Sequence, residues 1–162
     1  NIKDMNLSLN NKITNLEIIV NETQISPINY LFKASSNFNS NKVYSAGNTI
    51  EFNSITFCYP LQSSFNIINF SYTIPKNGIY QFSYNIYLNS PPTTSNTRMA
   101  FYKNGIKMMI SGSYASNIES CTTLEECNEN DLIDVRYQIG PNITLFMATD
   151  VCSFCGVLLK EV

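Results

Sequence analysis

The sequence predicts an all-β protein, a sandwich or jelly roll of about ten short strands, and three observations carry that expectation. Residues 79–88 alternate strictly, with Tyr80, Phe82, Tyr84, Ile86 and Leu88 on one face and Gln81, Ser83 and Asn85 on the other. Period-two alternation of this length describes a strand with one buried side, not a helix. Next, Asn104-Gly105 divides two strand-like runs at 98–103 and 106–110, and Asn-Gly suits a two-residue type I′ hairpin turn. Finally, turn-forming residues recur at short intervals from Ile28 to the end of the chain.

The elements follow in order. Residues 28–34 read as a first strand and 35–48 as a polar loop containing Gly47. Short strands are expected at 49–52 and 55–59, and a further one at 66–72. Pro75-Lys76-Asn77-Gly78 then delivers the main strand, which runs into a Pro-Pro-Thr-Thr-Ser loop. After the 98–110 hairpin, strands at 117–127 and 132–139 flank Asn128-Glu129-Asn130-Asp131, and 152–159 closes the domain. In that last strand Cys152, Phe154, Gly156 and Leu158 alternate with Cys155, Val157 and Leu159, so both faces are apolar. A strand buried on both sides lies between two packed layers. In a two-sheet sandwich one of those layers must come from another subunit.

Residues 1–21 differ from this pattern. Ile2, Asn6, Leu9, Ile13, Leu16 and Val20 follow a 4-3-4-3-4 spacing, the seam of a heptad coiled coil with Asn6 as its single polar member. An isolated helix this short is marginal and needs partners, either other copies or its own domain. Pro27 ends it, because the residue before a proline avoids the α region. The domain plan is a short N-terminal α-helical coiled-coil stalk at 1–21, a linker at 22–27 and a β-sandwich head at 28–162.

Composition narrows function mainly by exclusion. Hydrophobic residues make up 44% of the chain and charged residues only 14%, so uncharged polar groups, mostly Asn, must cover the surface. The net charge of −2 and the lack of a basic run leave no electrostatic footprint for nucleic acid. No apolar stretch approaches the roughly 20 residues of a membrane span, so this segment is not expected to insert. The chain opens on Asn1 and not Met, which reads as a piece of something longer and leaves the upstream sequence open. The excess of Asn, Ile, Tyr and Phe is what AT-rich codons specify, and large DNA viruses are among the sources that fit.

Candidate chemistry is sparse. The sequence holds no histidine, which removes His-activated nucleophiles and the commonest metal-binding side chain. Five cysteines are present: Cys58, Cys121, Cys127, Cys152 and Cys155. Cys152-Ser153-Phe154-Cys155 has redox or zinc spacing. On a strand, however, its two thiols point to opposite faces about 10 Å apart, beyond the ~7 Å limit for a disulfide. Small buried thiols with one or two cross-strand bridges are the expectation. Glu125, Glu126, Glu129, Asp131 and Asp134 gather near one turn, and Glu129 with Asp131 is a candidate Ca²⁺ position weighed against a solvated turn. Sequons at Asn6, Asn21, Asn69 and Asn142 are what chance produces in so Asn-rich a chain.

Taken in order, several motifs resemble those of the C1q/TNF superfamily head. Phe32-Lys33-Ala34 resembles its opening Phe-x-Ala, and Ile50-Glu51-Phe52 the Ile-x-Phe that follows. Gly78-Ile79-Tyr80-Gln81-Phe82-Ser83-Tyr84 resembles the Gly-x-Tyr-x-Phe-Ser-Tyr core, and Tyr102-Lys103-Asn104-Gly105 the Lys-Asn-Gly hairpin. Leu124 to Asp131 followed by Val135 is similar to the Leu-x-Leu strand and Gly-Asp turn, and Phe154-Cys155-Gly156-Val157-Leu158-Leu159 to the closing Phe-Ser-Gly-Phe-Leu. Asn130 replaces the usual Gly, Cys155 replaces Ser, and no collagen-like repeat is present.

The resemblance implies a C1q/TNF-like jelly roll that trimerises and recognises a partner without catalysis or a resident cofactor. Trimer contacts are then expected along the seam (Ile2, Asn6, Leu9, Ile13, Leu16, Val20) and in the head at Tyr80, Phe82, Tyr84, Phe154 and Leu158. The partner class is a protein receptor or a glycan on a host or neighbouring surface. The preferred setting is the virion surface of a large DNA virus, or otherwise extracellular. The alternatives are a structural coat protein, a secreted C1q/TNF-like ligand and, least favoured, a thiol or zinc enzyme using Cys152 and Cys155.

Overall fold

The computed structural model describes residues 30–38, 41–59, 64–89, 97–110, 117–140, 142–145 and 151–162. The stalk seam at 2–20 and the linker at 22–27 lie outside the described residues. Twelve strands are described: β1 (Leu31–Ser35), β2 (Lys42–Tyr44), β3 (Ser54–Tyr59), β4 (Phe65–Asn66), β5 (Ser71–Thr73), β6 (Gly78–Tyr87), β7 (Arg98–Lys103), β8 (Ile106–Ile110), β9 (Ile118–Cys127), β10 (Leu132–Ile139), β11 (Ile143–Leu145) and β12 (Ser153–Glu161). They form two five-stranded antiparallel sheets. The first has the order β3-β1-β12-β6-β9 and the second β4-β5-β10-β7-β8. A separate β2-β11 ribbon crosses one end.

The alternation of β6 sets the register. Tyr80, Phe82, Tyr84 and Ile86 point between the sheets, while Gln81, Ser83 and Asn85 point outward. Pairing is antiparallel on both sides, with Phe82 opposite Gly156 of β12 and Thr123 of β9. Phe154 sits at the middle of the core with ring contacts to Phe32, Phe52, Phe65, Phe82 and Phe101, at centroid distances from 4.8 to 6.4 Å. Phe32 of the first sheet also stacks on Tyr72 of the second at 4.0 Å. Rings drawn from both sheets therefore weld the layers together. Edge-to-face and offset pairs of this kind contribute about 0.5–1.5 kcal/mol each beyond their burial.

Two turns explain themselves from sequence. Asn104 and Gly105 both have positive φ (53° and 78°), as a type I′ turn demands. Asn130 has φ 70°, a left-handed position that Asn tolerates better than most.

The structure corrects several expectations. Residues 66–72 are not one strand. The side-chain oxygen of Asn66 accepts hydrogen bonds from the N–H groups of Ile68 (2.8 Å) and Asn69 (3.3 Å), which folds the apolar run into a turn between β4 and β5. Residues 49–52 contribute one bridge, Thr49 to Arg136, and two buried side chains, Ile50 and Phe52, but no strand. Conversely, the loop expected at 35–48 contains β2, which pairs with the unanticipated β11. The cysteines are free, so the expected bridges are absent from the described structure.

Gly156 is the tightest point of the core. A Cβ there would lie against the Phe32 ring and 2.8 Å from Cδ1 of Phe82, closer than side-chain atoms pack. Gly156→Ala is expected to destabilise the domain by about 1–3 kcal/mol through overpacking, read as a lower urea midpoint with an unchanged m-value. Gly47→Ala, with nothing near its Cβ position, reports the separate cost of a positive φ (92°).

Candidate functional site

The five head residues expected at a trimer contact are inside the sandwich. Tyr80, Phe82 and Phe154 are fully buried, and Tyr84 and Leu158 nearly so, within a single chain. They cannot touch a partner subunit, because the second sheet already covers them. The sequence reading named the side of these strands that faces the core. Large aromatics announce whichever side is most apolar, and that side is spent on the core.

The opposite face of the first sheet is not covered by the second sheet. Register places Tyr59, Leu31, Val157, Gln81 and Leu124 side by side in one row across β3, β1, β12, β6 and β9. The adjacent row holds Phe57, Lys33, Cys155, Ser83 and Thr122. Lys33 is the one charged residue in these two rows. Leu31, Phe57, Gln81, Ser83, Cys155 and Val157 frame a shallow depression of about 270 Å³. Tyr59 and Leu124 remain 57% and 60% exposed at its two ends. The two-sided apolar character of the last strand is thus present as expected: Cys152, Phe154 and Leu158 face in, while Cys155 and Val157 face out and are half-buried.

The outward face of the second sheet is different in kind. Asp134 accepts two hydrogen bonds from the Arg136 guanidinium, both 2.7 Å, and the guanidinium stacks on the Tyr102 ring at 4.4 Å. The Tyr102 hydroxyl in turn donates to Gln138. This is a self-satisfied polar network. It gives the second sheet a surface suited to water.

A second apolar region lies at the open edge between β8 and β9. Ile106, Met109 and Leu124 are exposed there beside a depression of about 530 Å³. Lys103 clamps this edge, with its ammonium donating to Glu125 at 2.7 Å and to the carbonyl of Glu126 at 2.9 Å. The sheet-pairing pattern of the sequence carried no signal for this groove, because it arises between strands of different sheets.

The acidic turn is committed to structure. One carboxylate oxygen of Asp131 accepts from the Asn104 amide (2.7 Å), and the other from the Asn128 N–H (2.8 Å). The Glu129 N–H donates to the Asn77 side chain at 2.6 Å. Asp131 thereby ties the β7–β8 turn to the β9–β10 turn. Among the described residues no three acidic, cysteine or histidine side chains converge to hold a metal.

The thiols are equally unpromising for chemistry. Burial pushes every one of them up; Cys127 rises to about 12, and Cys155 stays raised although the Lys33 ammonium opposes the effect. The Cys152 sulfur accepts the Tyr87 N–H at 3.3 Å. A thiol is nucleophilic as thiolate, and these environments suppress the thiolate.

No protein-family model and no curated protein matches the sequence. Solved structures do match the fold. The globular domain of zebrafish complement 1qA protein aligns over 82% of this chain and 99% of its own, with a TM-score of 0.65 and 13% identity. Eiger TNF from S. frugiperda aligns over 82% and 94%, with a TM-score of 0.64 and 10% identity. Murine APRIL aligns over 80% and 98%, with a TM-score of 0.62 and 10% identity. The described domain is an all-β sandwich with the C1q/TNF-like jelly-roll fold.

The buried acids set an alkaline limit on stability. Burial raises the Cys127 thiol from 9.0 to about 12 and raises the Tyr44, Tyr72 and Tyr80 phenols further still. A group whose folded value is raised releases its proton first in the unfolded chain. Stability is therefore full below about pH 9 and falls as pH climbs through 9 to 12. Thermal melts should be flat between pH 7 and 8.5 and drop steadily above pH 9. A melting temperature unchanged at pH 10.5 would contradict this.

Proposed function

We propose that this chain is a non-enzymatic recognition ligand that works outside the cell as a homotrimer. Its head, residues 28–162, assembles through the outward face of the first sheet, and residues 1–21 form a coiled-coil stalk along Ile2, Asn6, Leu9, Ile13, Leu16 and Val20. The observation that carries this reading is the asymmetry of the two outward faces. On the second sheet Asp134, Arg136, Tyr102 and Gln138 engage one another, whereas the first leaves an almost uncharged surface around Leu31, Phe57, Val157 and Cys155. Such a surface fits burial against another subunit better than contact with water. The exposed edge at Ile106 and Met109 adds a second apolar surface, which meets the first at Leu124. Two unlike patches suit head-to-tail contacts that close into a ring.

The partner is a protein receptor or surface glycan, met on loops and grooves at the rim of the assembly. Fold resemblance to a complement domain and to TNF proteins favours a secreted ligand over a virion spike. The AT-rich character of the composition is what keeps the virion reading as the second choice. Against an enzyme stand the raised thiols and a sequence without histidine.

Light scattering at micromolar concentration should give three times the chain mass. Val157→Arg puts a charge at the middle of the apolar row and is expected to yield folded monomers, with an unchanged far-ultraviolet spectrum. Deleting residues 1–21 should lower thermal stability yet keep the trimer. A monomeric wild type, or a Val157→Arg variant that remains trimeric, would overturn this assembly.

A further inference from the structure

The turn between β4 and β5 exposes two adjacent branched side chains, Ile67 at 48% and Ile68 at 85%. The tip is held in place. Asn66 caps it through the two bonds already described, and Phe70 is pinned at φ 58°, a conformation that bulky residues avoid. A fixed apolar tip in water calls for a cover.

The next residues supply one. Asn69-Phe70-Ser71 is an N-x-S sequon with no proline at its centre. Asn69 is exposed, and the buried Ser71 hydroxyl donates to its side-chain oxygen at 2.7 Å. The amide nitrogen is then the corner of the carboxamide that Ser71 does not engage. We propose that Asn69 carries an N-linked glycan whose first sugar packs over Ile67 and Ile68. The sugar's apolar ring face replaces water on the two isoleucines, and its hydroxyls present a polar surface instead. The other described sequon, Asn142-Ile143-Thr144, has no such tip, because Ile143 and Leu145 are buried. A glycan at Asn69 is also compatible with assembly, since β4 and β5 belong to the second sheet and not to the face at Val157.

The chemistry is a glycosyl transfer made by the secreting cell's transferase from a lipid-pyrophosphate-linked oligosaccharide. The Asn69 amide nitrogen bonds to the anomeric carbon as that carbon's bond to the pyrophosphate oxygen breaks. The lipid pyrophosphate leaves with the electron pair, and the amide gives up one proton. The proposal rests on the extracellular reading above, because that donor meets only chains entering the secretory pathway.

The test is to secrete the chain from cultured eukaryotic cells and map its peptides by mass spectrometry, with and without peptide N-glycosidase. The Asn69 peptide should carry a glycan, lost in Asn69→Gln and in Ser71→Ala and retained in Ser71→Thr. On a hydrophobic-interaction column Asn69→Gln should elute later than wild type, and adding Ile68→Ser should abolish the delay. An unmodified Asn69 in the secreted protein would overturn the site. A glycosylated Asn69 whose loss leaves retention unchanged would overturn its covering role. Chain mass measured on the same samples separates the two proposals: a bare trimer sinks this inference alone, and a glycosylated monomer sinks the assembly alone.

Discussion

The two sheets can meet because β12, the central strand of the first, alternates a large ring with no side chain at all. Phe154 fills the middle of the core and touches five other rings, while Gly156, two residues on, lets the rings of Phe32 and Phe82 close over the backbone. Sheets in a sandwich sit about 10 Å apart, so a ring at one position requires room at the next. Register then propagates outward. Phe32 and Phe82 flank Gly156 across the strands, and Lys33 and Ser83 consequently flank Cys155 on the reverse side. The face proposed for assembly is the imprint of the core, displaced by one residue.

That coupling explains why the two outward surfaces differ. On β10 the residues between core positions are Asp134, Arg136 and Gln138, which form ion pairs and hydrogen bonds within their own sheet. On β12 they are Ser153, Cys155 and Val157, which offer little to water. A chain with only 14% charged residues has few charges to distribute. Several of the described ones are joined in pairs, Lys42 with Glu51, Lys76 with Glu161 and Lys103 with Glu125. Exposed pairs of this kind contribute little to stability. Their placement matters more, because it leaves the first sheet's two central rows with Lys33 alone.

Much of the fold was legible in the sequence, and the reasons are local. Alternation named β6, and Asn104-Gly105 named the β7–β8 hairpin, since each is decided by residues next to one another. Ordered motifs named the jelly roll. What stayed hidden depends on competition or on distance. Asn66 overrides the strand pattern of the residues after it by bonding to Ile68 and Asn69. The β2–β11 ribbon joins segments about a hundred residues apart, and neither has a strong pattern of its own. Which side of β12 is buried stayed open because both sides are apolar, and periodicity cannot tell which side meets the second sheet. Asp131 was weighed as a metal ligand because its clamp on Asn104 and Asn128 crosses two turns.

The strand order carries a consequence for biosynthesis. β12 is the last of the described strands, yet it lies in the middle of the first sheet, with Leu31 of β1 opposite Val157. Until that strand leaves the ribosome, β1 and β6 have no common neighbour, and Phe154 is missing from the core. The head therefore cannot close before residues 153–161 have emerged. Pairings this distant also fold slowly. In the interval β1 and β6 present unpaired edges, which are open to pairing with neighbouring chains.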